Sequence, residues 1–112
     1  MSNTTFTTLP LADHLLQSLD SLGYSQMTPI QQQALPVLLE GKDILAKART
    51  GSGKTVAFAL TLLHKLAVKR FRIQSLVLCP TRELAEQVAQ EIRRLARSQH
   101  NIKVLTLVGG VS

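Results

Sequence analysis

Residues 46–55 read "AKARTGSGKT", and the reading of this stretch decides the fold. Gly51 and Gly53 flank Ser52, and Lys54 and Thr55 follow. A phosphate cradle needs backbone N–H groups turned inward around a tight loop, then a helix N-terminus facing the anion. Glycine permits the backbone angles of such a loop and leaves no side chain in the way. Lys54 can reach β- and γ-phosphates, and the Thr55 hydroxyl can meet Mg2+. Ala48 stands where the pattern commonly opens on glycine. It ends the preceding strand, ahead of the tightest part of the loop, where a small residue with ordinary φ serves.

The flanking segments fit such a loop. Residues 43–48 read as a short strand and 54–67 as a helix with Phe58, Leu62, Leu63 and Leu66 available for burial. Further on, "QSLVLCP" (74–80) is a compact apolar run, expected as a strand buried on both faces. "TRELAEQVAQEIRRLARSQ" (81–99) is an amphipathic helix with the stripe Leu84, Val88, Ile92 and Leu95. Arg93, Arg94 and Arg97 are left on its other face, read as solvated. "IKVLTLVGG" (102–110) is a third strand candidate. Toward the N-terminus, Leu11, Leu15, Leu16, Leu19 and Leu22 fall on one helical stripe that Gly23 ends. Thr28 and Pro29 are the N-cap and first position of the next helix, which Pro36 is expected to kink or interrupt and Gly41 to close.

Strands alternating with helices predict an α/β fold with a parallel sheet covered on both faces. The 112 residues allow one domain with a modest core. No apolar run approaches the ~20 residues of a membrane span, and the first ten residues lack a secretory signal. Cys79 is the single cysteine, read as a buried reduced thiol, with the cytoplasm as the expected compartment. His14, His64 and His100 are scattered and suggest no metal site. The net charge of +6 is uneven: residues 1–64 carry four Lys/Arg against four acids, and residues 65–112 carry nine against three. A polyanion partner for the second half and a plain solvated surface both account for that asymmetry.

Hydrolysis of a nucleotide also needs carboxylates to hold Mg2+ and to orient water. Such acids commonly end a buried strand. Here the later strands end in "CPTRE" and "VGG". Glu83 comes nearest, but an acid in the first turn of a helix already has a structural reason to be there. A binding half-site is visible without a catalytic half.

"ARTGSGKT" together with "PTRELAEQ" resembles the N-terminal RecA-like lobe of the DEAD-box ATP-dependent RNA helicases, whose phosphate loop opens with alanine. "GYSQMTPIQ" (23–31) resembles that family's adenine-recognising Q motif, with Met27 where proline is common. Phe6 stands 17 residues before Gly23, at the family's isolated aromatic. "PTRELA" (80–85) resembles motif Ia, and Gly109 and Gly110 the glycine doublet. "GYSQMTPIQ", "LVLCPTRELAEQVA" and "RRLAR" are most similar to bacterial DbpA-type members, which implies ribosomal RNA as partner.

The resemblance implies ATP and Mg2+ as cofactors, and two lobes that close over RNA to strain a duplex. It implies that Gln31 contacts the adenine edge, that Phe6 stacks on the base with Tyr24 nearby, and that Thr28 supports the motif. Thr50, Gly51, Ser52, Gly53, Lys54 and Thr55 would hold phosphates and Mg2+, with Lys54 and Thr55 in the catalytic role and Thr55 on the metal. Pro80, Thr81, Arg82, Glu83, Gly109 and Gly110 would face RNA. Arg82 also fits a surface ion pair with Glu86 at i+4.

The expected layout is a helical Q-motif region over 1–41 and a partial RecA-like lobe over 42–112, truncated to about three strands. The family's DEAD and SAT motifs do not occur in these residues. Strands bearing them would lie between 43–48 and 75–79, so those two are not expected to be neighbours. The chain therefore reads as a fragment that binds nucleotide weakly at best, does not hydrolyse it, and in isolation is marginal or completes its sheet by pairing with a second copy through open sheet edges. A non-enzymatic RNA-binding fragment and an unrelated P-loop kinase or ATPase are the alternatives.

Overall fold

The computed structural model describes residues 4–49, 51, 53–66, 72–99 and 102–108. Four helices follow a 3-10 turn at Phe6–Thr8: α1 (Asp13–Ser21), α2 (Pro29–Leu39), α3 (Lys54–Lys65) and α4 (Arg82–Leu95). Each starts and stops for a local reason. The Thr28 hydroxyl accepts from the Gln31 N–H, and the Gln31 side chain accepts from the Thr28 N–H, so a capping box opens α2 with Pro29 at its first position. The Thr81 hydroxyl accepts from the Leu84 N–H and opens α4. α1 ends where Gly23 N–H donates to Asp20 O at 3.1 Å and Tyr24 N–H to Leu19 O at 2.8 Å. That Schellman closure needs the positive φ of 84° that Gly23 adopts.

α3 is the centre of the molecule. It packs against α2 and α4, and α1 lies against both α3 and α4. Val56, Ala57, Ala59, Leu60, Thr61 and Leu63 are all buried, so α3 is enclosed on most of its circumference. Every helix sends at least one fully enclosed leucine into the core: Leu15 and Leu19 from α1, Leu35 from α2, Leu60 from α3 and Leu95 from α4. Each such side chain contributes about 1.5–3 kcal/mol on leaving water. The N-terminal segment closes over this core. Met27 N–H donates to Thr4 O at 2.7 Å and Phe6 N–H to Ser25 O at 3.3 Å, around an antiparallel bridge between Thr5 and Gln26.

Three expectations change. Pro36 does not interrupt α2; the helix runs through it to Leu39. The proline removes one backbone donor, but Ala34 and Leu35 beside it are buried and hold the turn in place. Cys79 is half-buried rather than enclosed.

The third change concerns the sheet. Among the described residues 43–48, 74–79 and 102–108 form no strand ladder, so the three-strand sheet is not formed there. A strand exists only with a neighbour to bond, and hydrophobic period specifies a face without specifying that neighbour. The face itself is present: residues 102–108 alternate half-buried and exposed along their whole length. Ile102 and Val104 lie against the core while Leu105 and Leu107 are 84% and 93% exposed.

Central position makes α3 the sensitive element. Leu60→Ala is expected to destabilise the chain by about 2–5 kcal/mol, read as a lowered urea midpoint. A loss below ~1 kcal/mol would contradict the enclosed position assigned to Leu60.

Candidate functional site

The N-termini of α2 and α3 meet through one side chain. Gln31 is 3% exposed. Its Oε1 accepts from Thr28 N–H at 2.9 Å, and its Nε2 donates to the Gly53 carbonyl at 3.1 Å. Gly53 is the N-cap of α3 and has φ 93°. A Cβ there would lie 2.4 Å from Gln31 Nε2 and 2.8 Å from Thr28 Oγ1. Glycine is therefore required twice at this position, by its backbone angle and by the close approach of the α2 N-cap.

Among the described residues no side chain caps α3, which leaves its first-turn N–H groups facing the glycine loop, and Gly51 also has positive φ. Lys54 and Thr55 are the first two residues of α3 and are partly exposed. Among the described residues no carboxylate bonds to either. A free helix N-terminus, a left-handed glycine, an ammonium and a hydroxyl fit a phosphate group and its cation. Among the described residues no cluster of three or more His, Cys, Asp or Glu is placed to hold a metal by itself.

Other expected residues are placed differently. Phe6 does not present a face for a base: its ring is 2% exposed and belongs to the core. Hydrophobic burial outweighs exposure for an aromatic that the Thr5–Gln26 bridge pins inward. Tyr24 is joined to α4, its hydroxyl donating to Glu91 Oε1 at 3.2 Å. Burial, and then the Glu91 carboxylate, push its ionisation above the usual tyrosine range. Gln31 has both its amide functions committed within the chain, where the resemblance implied an adenine edge. The Thr28 hydroxyl accepts from the Gln31 backbone N–H. Pro80, Thr81, Arg82 and Glu83 are exposed together at the start of α4. Thr50, Ser52, Gly109 and Gly110 lie outside the described residues.

Two residues carry structural roles that the sequence did not reveal. Arg93 donates to the Val104 carbonyl at 2.9 Å and ties α4 to segment 102–108. Arg94 pairs with Glu91 at 3.0 Å, completing a Tyr24–Glu91–Arg94 chain. The i,i+3 spacing of Glu91 and Arg94 was the available signal. A cleft of about 440 Å³ lies between residues 8–10 and Gln32, Pro36 and Leu39 of α2. None of its lining residues is among those expected at the site.

The solved structures that the chain resembles are RecA-like helicase domains. The chain belongs to the DEAD/DEAH box helicase family, whose model matches residues 28–112. It is 57% identical over 106 residues to the ATP-dependent RNA helicase DbpA of Escherichia coli (strain K12), covering 95% of this chain and 23% of that protein. A DEAD box protein from the hyperthermophile Methanococcus jannaschii superposes with a TM-score of 0.92 at 37% identity, covering 100% of this chain and 31% of that one. S. cerevisiae Dbp5 bound to RNA and ADP BeF3 superposes with a TM-score of 0.83 at 31% identity, covering 87% and 25%. The chain thus spans about a quarter of the length of the relatives it matches. No described helix is long and apolar enough to cross a membrane.

Gly53→Ala is expected to drive the Gln31 amide off the loop, at a stability cost of about 1–3 kcal/mol for the strained backbone. Amide exchange at the start of α3 checks it: protection should fall at Ala57, whose N–H donates to the Gly53 carbonyl, and persist at Leu60. Thr28→Ala removes only the cap and is expected to cost about 1 kcal/mol by chemical denaturation.

Proposed function

We propose that this chain is the nucleotide- and RNA-binding front part of an ATP-dependent RNA helicase. The observation that carries the reading is the Gln31–Gly53 hydrogen bond, which couples the Q-motif helix to the phosphate loop in a chain of this family. Residues 1–41 form the Q-motif region and 42–112 part of the RecA-like lobe. Thr50, Gly51, Ser52, Gly53, Lys54 and Thr55 wrap the phosphates, Lys54 neutralising the terminal charge and the Thr55 hydroxyl facing Mg2+. ATP and Mg2+ supply the hydrolysable bond and the charge that polarises it. An adenine edge takes over the Gln31 Nε2 from the Gly53 carbonyl, so base binding frees the loop to close. Tyr24 lies at the margin of that site, and Phe6 acts from the core.

RNA lies across the exposed start of α4. Arg82 and the N–H groups of the first turn meet a phosphate there, and Pro80, Thr81 and Glu83 border it, with Gly109 and Gly110 approaching the strand. Likeness to DbpA supports a ribosomal RNA substrate and a place in the cytoplasm. The outward apolar side chains Leu45, Leu76, Leu78, Leu105 and Leu107 support self-association of these 112 residues through unpaired edges.

Three outcomes test the reading. Titration with a fluorescent ATP analogue should show binding that Lys54→Ala removes. Gln31→Ala should erase the preference for ATP over GTP. RNA affinity should fall linearly with log salt, and Arg82→Ala should reduce the slope by about one. These residues alone should not hydrolyse ATP, since among the described residues no carboxylate bonds to Thr55; RNA-stimulated turnover by the 112-residue chain would overturn the assignment. RNA binding with no response to ATP would favour a non-enzymatic RNA-binding module.

A further inference from the structure

Two imidazoles stand apart from the site. His14 on α1 and His64 on α3 each bury Nδ1 with no hydrogen-bond partner. The two helices pack against each other, and the rings are close enough for a charge on one to act on the other. In a neutral imidazole one ring nitrogen is an acceptor and the other a donor. A buried nitrogen without an acceptor is best left unprotonated, which favours the neutral ring at His14. Adding a proton there creates a buried donor with nothing to bond, and adding two places like charges across one helix seam.

We propose that His14 makes the packed seam between α1 and α3 an acid-sensitive latch, closed while the His14 ring is neutral and released when it takes up a proton. The surroundings give the latch its sign. On α1, Asp13 is the carboxylate that acts on His14, and it favours the cation. On α3, His64 opposes it, and the neighbouring Lys65 is exposed. From beyond α4, the neutral Ser98 hydroxyl donates to the His14 backbone carbonyl and lies 2.7 Å from the Ser18 hydroxyl. Glu91 and Arg94 on α4 are paired with each other. Burial, then His64, pull His14 below the ordinary histidine range, against the smaller pull of Asp13.

The unfolded chain therefore takes up the proton first, near pH 6.5. Stability from the closed latch is complete above that value and is lost as pH falls through and below it. The consequence reaches the site along α3. His64 lies in the last turn of the helix that Lys54 begins, so release of α1 loosens the scaffold of the glycine loop. The latch itself does not depend on the nucleotide assignment.

The experiment is a thermal melt of the 112-residue chain between about pH 7.5 and pH 5.5, across the histidine range. Wild type should lose Tm on acidification. His14→Gln should lose less than half as much. In parallel, proton NMR should show the His14 ring titrating below free imidazole in wild type. If His14→Gln loses as much Tm as wild type, or if His14 titrates at or above the free value, the latch is refuted. The titration decides alone should the variant fail to fold.

Discussion

Everything at the glycine loop depends on one buried amide. A primary amide taken out of water must find partners for its donor and its acceptor, or lose a few kcal/mol. Gln31 finds them on two different helices. Its oxygen closes the capping box at Thr28, and its nitrogen reaches the Gly53 carbonyl that opens α3. The amide cannot shift toward one partner without deserting the other. The two helix N-termini are therefore held in register, and the space between them is filled so closely that only glycine fits at position 53. A loop whose backbone must meet phosphate oxygens is kept in shape by a side chain 22 residues upstream.

Much of this was legible in the sequence because it rests on local chemistry. Thr28, Pro29 and Gln31 write a capping box within four residues. Gly23 and Gly41 end helices by conformational freedom that other residues lack. The Val88, Ile92 and Leu95 stripe of α4 needs only helical period to be read, and the structure buries all three. Leu84, at the start of the same stripe, stays exposed because the first turn of α4 projects beyond the core. The period was right, and the extent of the core was not available from it.

What was not legible rests on contacts between distant residues. Nothing near Phe6 says whether its ring faces a base or the core; the backbone pairing of residues 4–6 with 25–27 settles that, and pairing across 20 residues leaves no local mark. Arg93 reads as a solvated cation on a polar face. Its partner is a backbone carbonyl at Val104, and every residue carries one of those. Pro36 misled for the opposite reason. Its local rule is correct, but the ~3 kcal/mol that an interior proline costs a helix is offset by the burial of Ala34 and Leu35 beside it.

The absent ladder makes the same point about sheets. In a helix the backbone satisfies itself, so α1 to α4 form wherever cap and stripe agree. A strand is satisfied only by another strand, and its side-chain pattern can be complete while its hydrogen bonds are not. Residues 102–108 are in that condition: alternation has sorted Ile102 and Val104 inward and Leu105 and Leu107 outward, and Arg93 supplies a single bond where a neighbouring strand would supply several. The helical layer is thus sufficient to orient the segment but not to pair it. Packing against α4 fixes which face is inner, and only backbone pairing fixes what lies beside it.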